Sequence, residues 1–220
     1  VFQVILVRHG EVEGNSGPRP TFAGWTDKPL TSHGEAQARS VGERLAGERI
    51  SLVWSSDLQR AHRTAQEIAA PHGLEVQAMP ALREVNYGAW ESLGHEEIHR
   101  DWAEHWAKRL ADPLGVAPPE GENYAALWAR LEPAWHEFLR EADSATQQVR
   151  SDSTVLPSAV LVAHNGPLRL LLCHILGIPV ENYRRLQTSN CGISRLKIDK
   201  PDAREIVVTC VNDTSHLHLI

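Results

Sequence analysis

No apolar run in this sequence approaches the ~20 residues needed to cross a bilayer, and the apolar stretch at its start has neither a basic leader nor a cleavage site. Both absences point to a cytoplasmic protein with no membrane partner. Cysteine is scarce: Cys173, Cys191 and Cys210 are odd in number and lack metal-ligand spacing, which fits a reducing compartment and three ordinary thiols. Cations are outnumbered, with 22 Lys and Arg against 28 Asp and Glu and a formal charge of -6. That balance argues against nucleic acid as a partner, because non-specific binding depends on cations neutralising backbone phosphates. A phosphate held by this chain needs local donors acting against an unfavourable overall field. No internal repeat is present.

What is there is a chain of 220 residues, 42% hydrophobic and 23% charged, which suits one soluble globular domain over 1–220. Residues 1–7 form the kind of apolar run seen in strands buried on both faces, and it stops abruptly at Arg8, His9 and Gly10. In open α/β sheets ligands sit beyond the carboxyl ends of strands, so a site is expected there. A buried strand also reads over 50–54, a third strand over 74–79 and another apolar strand over 159–163, the last ending at His164-Asn165-Gly166 and opening a helix to 176. Backbone N–H groups at such a helix start make an anion site that His164 can join.

Ser32 with Glu35 and Ser56 with Gln59 read as capping boxes, opening helices that run to about 46 and 68. Arg60 then falls in a first helical turn, where the macrodipole disfavours a cation by ~0.3–1 kcal/mol unless something negative compensates. A phosphate would do so; an ion pair with Asp57 or Glu67 is the alternative. Residues 93–139 read as helical, with Trp102 and Trp106, and Trp128 and Trp135, each pair on one helix face. That stripe packs the helices together, or part of it lids a site. Residues 144–158 read as a surface loop, and 193–198 and 205–211 as closing strands joined by a turn at 200–202.

Arg8-His9-Gly10, followed by Glu11 and Asn15, resembles the signature of the histidine phosphatase superfamily, the phosphoglycerate mutase-like enzymes. Further matches follow in the same order: Gly24-Trp25-Thr26-Asp27, Ser55-Ser56-Asp57-Leu58-Gln59-Arg60, Leu82-Arg83-Glu84 before Tyr87-Gly88, and Ala163-His164-Asn165-Gly166. The resemblance implies an α/β fold, a three-layer α/β/α sandwich with a mostly parallel sheet, an antiparallel edge strand, and a helical insert at about 93–140 over the active site. It implies His9 as the nucleophile and Glu84 as proton donor and acceptor, with Arg83 a salt-bridge partner or surface residue. Arg8, Arg60 and a protonated His164 would neutralise the phosphoryl group, and Asn15, Gly24, Tyr87 and Asn165 would contact substrate. For Asn15, closing an Asx-turn is the other reading. No metal or other cofactor is implied; the expected partner is a small phosphate monoester, and homodimerisation is left open.

Within that chemistry two activities compete. The family's mutases carry a hydroxyl residue before the Gly-Trp pair, where this chain has Ala23, and an Arg-Arg pair in the insert, where residues 93–123 offer only Arg100, Lys108 and Arg109. Both departures favour a phosphatase over a cofactor-dependent phosphoglycerate mutase. Residues 190–194 look somewhat like alpha-ribazole phosphatases, and a phosphate-sensing module without turnover is the non-enzymatic alternative. A separate motif, His95-Glu96-Glu97-Ile98-His99, matches H-E-x-x-H of zinc proteases with His105 as a third candidate ligand. Trp102 replaces the glycine those enzymes carry and no Met-turn follows, so a hydrated helix face is the plain reading.

Overall fold

The structure, a computed structural model, describes residues 1–15, 20–148, 155–199 and 206–217. Strand β1 (Phe2–Arg8) lies between β4 (Pro157–Ala163), parallel to it, and β5 (Ile193–Ile198), antiparallel to it. With β2 (Arg49–Ser55), β3 (Val76–Ala78) and β6 (Ile206–Asp213) they form one six-stranded sheet of order β3-β2-β4-β1-β5-β6. The first four strands run parallel and β5 and β6 make an antiparallel edge pair. β4 is buried along its whole length, which is why it reads as an unbroken apolar run.

Alternate side chains of β1 and β4 point to opposite faces and seed two cores. Val4, Leu6, Leu161 and Ala163 pack under Leu131, Trp135 and Phe138 of α5 (Tyr124–Gln148) and under Leu168 and Leu171 of α6 (Asn165–Leu176). Ile5, Val7, Val160 and Val162 pack under Val41 and Leu45 of α1 (Ser32–Leu45) and Ala61, Ala65 and Ile68 of α2 (Gln59–Ala69). The result is three layers. After β1 the chain crosses one face of the sheet to β2, and after β4 it crosses the other face to β5, so the two strand ends diverge around a crevice.

Several local expectations are corrected. The first helix is capped by Thr31, whose hydroxyl accepts from the Gly34 N–H at 2.9 Å, and not by Ser32. The second capping box does not form, because the Ser56 N–H still serves the sheet through Val162 O at 3.0 Å and the helix opens only at Gln59. The Gln59 N–H is taken instead by Asp27 Oδ1 at 2.8 Å. β3 is shorter than 74–79. Residues 93–139 are not one continuous helix: α3 (His95–Asp101) and α4 (Ala103–Ala111) break at Trp102, which has φ -135° and ψ 24°, yet Trp102 still packs against the cluster that holds Trp106, whose N–H donates to Trp102 O at 2.8 Å. α5 continues to Gln148 through residues read as loop, since Ala142 and Thr146 on its inner side are buried. It packs on the sheet, while Tyr124 at its start lines the cavity beside the site. The expected turn at 200–202 lies outside the described residues.

Gly34 shows how tightly α1 is seated beneath the end of β1. A Cβ there would lie 2.1 Å from Glu11 O, and one on Gly10 would lie 2.6 Å from Gly34 O. Ordinarily Gly→Ala inside a helix stabilises by ~1 kcal/mol. Here the sign reverses: Gly34→Ala should cost about 1–3 kcal/mol through the backbone clash, lowering the thermal midpoint by several degrees. A raised midpoint would contradict this packing.

Candidate active site

Register brings the two strand-end histidines together. Arg8 pairs with Ala163 across β1 and β4, so His9 and His164 follow side by side, and their rings lie 4.9 Å apart at 58°. His9 Nδ1 is 2.6 Å from Gly10 O, which fixes that nitrogen as the N–H donor and leaves Nε2 with its lone pair. His9 is held from behind as well: its N–H donates to Ala163 O at 3.0 Å, and Asn190 Nδ2 donates to its carbonyl at 3.0 Å.

Arg60 arrives from α2. Although β4 separates β2 from β1, its long side chain is buried and reaches the same cavity. Its guanidinium donates to Gly24 O at 2.6 Å and Thr26 O at 2.9 Å, and not to Asp57 or Glu67, which are occupied by Arg83 and Arg63 respectively. The loop that supplies those carbonyls is clamped by Glu91, which accepts from Trp25 N at 2.6 Å and Thr26 N at 2.7 Å. Gly24 sits at φ +48°, and a Cβ there would run into the Glu91 carboxylate at 2.2 Å.

Glu84 is buried at the wall of this cavity. Its Oε1 accepts from the N–H groups of Val85 (2.8 Å) and Gly166 (3.0 Å), leaving Oε2 the freer oxygen. Its backbone carbonyl is fixed by the Trp25 indole and by Arg130, both at 2.8 Å, and Arg130 is itself ion-paired to Glu122. Asn15 uses both readings of its amide: Oδ1 accepts from the Val12 N–H at 3.2 Å, closing the turn, while Nδ2 is buried without a protein partner. Asn165 opens α6 and its Oδ1 accepts from the Thr188 hydroxyl at 2.6 Å.

A cavity of about 160 Å³ is lined by Arg8, His9, Asn15, Gly24, Arg60, Glu84, Tyr87 and Asn165 together with Thr21, Phe22 and Ala23. Of the residues singled out from sequence only His164 is not in its wall, and it stands directly behind, against His9. Buried donors that meet no protein acceptor collect here: Arg8 Nε, Arg60 Nε, Asn15 Nδ2 and a nitrogen of His164. An unsatisfied buried polar group costs about 1–3 kcal/mol, so their concentration suits an anion that accepts from several at once.

The ionisation states follow from burial and mutual repulsion. Burial, then Arg60 and Arg8, hold His9 well below 6.5, so it is a neutral base. Burial, then Arg60 and His9, also hold His164 well below 6.5, so it is neutral before any anion enters, against the expectation of a fixed positive charge. Arg8 is lowered by burial to about 10, still a cation at neutral pH. Glu84 is raised above 4.5 by burial, against the lowering effect of its backbone donors and of Arg60 and Arg8.

The zinc-like motif does not converge. His95 and His99 have ring centroids 6.5 Å apart and both pack on Trp106, while His105 bonds Ala117 O at 2.6 Å. Glu97 accepts from the Gly94 N–H as a cap. Among the described residues no group of three His, Cys, Asp or Glu side chains is arranged to hold a metal ion, and no helix is long and apolar enough to cross a membrane. Sequence reasoning missed Glu91, Trp25 and Arg130 as supports, and also Arg169 and Arg184, which with Arg109 line the neighbouring cavity.

Residues 4–213 match the histidine phosphatase superfamily (branch 1), and the chain belongs to that family. It is similar to a probable phosphoglycerate mutase GpmB of Klebsiella pneumoniae, with 37% identity covering 99% of this chain and 95% of the relative. The corresponding protein of Yersinia enterocolitica is 35% identical, covering 100% and 96%. Among solved structures, a mycobacterial glucosyl-3-phosphoglycerate phosphatase complexed with VO3 superposes with a TM-score of 0.81 at 27% identity, covering 97% of this chain and 100% of that one. The alpha-ribazole phosphatase of Shigella flexneri gives 0.78 at 26% identity, with 96% of each chain covered.

Proposed function

We propose that this protein is a metal-independent phosphomonoesterase that hydrolyses a small phosphorylated metabolite through a phosphohistidine on His9. The observation that carries the reading is the meeting of a neutral, oriented imidazole with unsatisfied cationic donors and a protonatable carboxyl at one anion-sized cavity. Arg8, Arg60 and Asn15 bind the phosphoryl oxygens and spread the charge that would otherwise repel a nucleophile. His9 Nε2 attacks phosphorus in line, and the bond to the ester oxygen breaks. Glu84, whose burial favours the protonated form, gives its proton to the leaving oxygen from Oε2. The carboxylate then takes a proton from water, whose oxygen attacks phosphorus and releases His9 and inorganic phosphate. His164, facing the charge developing on His9 and the phosphoryl group, gains a proton only once that anion is present.

A phosphoglycerate mutase is the second reading, supported by the names of the curated relatives and by cations in the neighbouring cavity. The two are separated by incubating the purified protein with phosphate monoesters and with 2- and 3-phosphoglycerate in the presence of a strong chelator. Stoichiometric release of inorganic phosphate is the expected result. Interconversion of the phosphoglycerates without phosphate release would replace it with the mutase.

A further inference from the structure

Glu84 lies in the irregular stretch between the 3₁₀ turns Pro80–Leu82 and Gly88–Trp90, so no helix or sheet ladder fixes its backbone. A carboxyl that transfers a proton must nevertheless be held to within ~0.5 Å of its working position. Two side chains supply what the ladders do not. The Trp25 indole N–H and Arg130 Nη2 both donate to the Glu84 carbonyl at 2.8 Å. Arg130 also donates from Nη1 to Ala81 O at 2.7 Å and forks onto Glu122. Glu122 in turn accepts from the Asn86 N–H at 3.0 Å, and its own N–H donates to Asn86 O at 2.9 Å. The stretch is thereby gripped on both sides of Glu84.

Trp25 is itself anchored. Its backbone N–H donates to Glu91 at 2.6 Å, and its ring lies 5.0 Å from the guanidinium of Arg83, which is bidentate to Asp57, and 5.9 Å from that of Arg130. The indole is 37% exposed, so its burial contributes less than that of a core tryptophan, and its one polar atom is spent on the backbone of Glu84. Its chain neighbours Gly24 and Thr26 hold Arg60 through their carbonyls, so one short loop touches both the phosphoryl cation and the acid. Neither Trp25 nor Arg130 lines the cavity. Resting on the phosphomonoesterase reading, we infer that Trp25 and Arg130 are positioning residues for proton transfer, together holding the Glu84 backbone so that its Oε2 meets the leaving oxygen.

The test measures kcat/KM, which reports the steps through formation of the phosphohistidine, for glycerol phosphate and for nitrophenyl phosphate. The first leaving group needs a proton and the second does not. Trp25→Phe keeps the ring and the backbone clamp but loses the N–H; Arg130→Lys keeps the charge but replaces three anchored nitrogens with one. Each should lower kcat/KM for glycerol phosphate by about ten- to hundredfold, the scale of a small misplacement of a reacting group. For the nitrophenyl ester the loss should stay under about threefold, and inhibition by inorganic phosphate should change no more than that. In the Glu84→Gln background neither substitution should lower the glycerol phosphate rate further, because the group they place is already gone. Equal losses on both esters, a further loss in the Glu84→Gln background, or no loss in either variant would overturn this inference alone. Trp25 is exposed, so its substitution takes little from the core and decides the matter if Arg130→Lys does not fold. Failure to hydrolyse either ester, or an unchanged glycerol phosphate rate in Glu84→Gln, would remove the phosphomonoesterase reading or the role of Glu84 within it, and this inference too.

Discussion

His9→Ala should lower turnover of phosphate monoesters by roughly 10⁴–10⁶-fold, the range expected when a covalent nucleophile is removed from a unit that works together. The loss should fall on kcat. Arg8 and Arg60 keep their backbone anchors, Thr188 O for the first and Gly24 O and Thr26 O for the second, so the anion cradle survives the substitution. Binding of inorganic phosphate, read by competition or calorimetry, should therefore change far less than turnover. A variant that retains its rate would show that the imidazole only lines the cavity.

Glu84→Gln should give the second largest effect, and its size should depend on the leaving group. With an alkyl ester, whose alkoxide must be protonated, the loss should be about 10²–10⁴-fold. With a nitrophenyl ester, which leaves without a proton, it should be much smaller in the first half-reaction. The pH profile supplies a sign as well as a size. His9 must be neutral to attack, and its pKa lies well below 6.5, so the acid limb is displaced downward. Glu84 must be protonated to donate, and burial raises its pKa above the ordinary carboxylate value, so kcat/KM falls as pH rises through that raised pKa. The maximum for alkyl esters should lie between the lowered pKa of His9 and the raised pKa of Glu84, and the alkaline limb should vanish in Glu84→Gln. A limb unchanged in the variant would assign the proton to another group.

The central parallel strands β1 and β4 were legible because burial on both faces leaves no alternation, and a run that ends at Arg8-His9-Gly10 or His164-Asn165-Gly166 marks a strand end as well as a site. What no local pattern contains is the register of Arg8 against Ala163, which makes neighbours of two histidines 155 positions apart. The second capping box misled for a related reason: a tertiary partner, Asp27, took the helix N–H that Ser56 was expected to serve. Trp102 shows the same limit, since periodicity alone does not reveal a break between two short helices. The least legible residues were charged ones. Arg169 and Arg184 carry nothing in their neighbourhoods that distinguishes them from solvated surface arginines, and Arg130 and Glu91 act through backbone groups distant in sequence.

The most direct test is rapid acid-free quenching of the wild-type protein during turnover of a ³²P-labelled monoester, followed by peptide mapping. The account predicts acid-labile, base-stable label confined to the peptide containing His9 and released as inorganic phosphate on standing. Label on any other residue, or steady turnover with none bound to protein at any time on the millisecond scale, would contradict it.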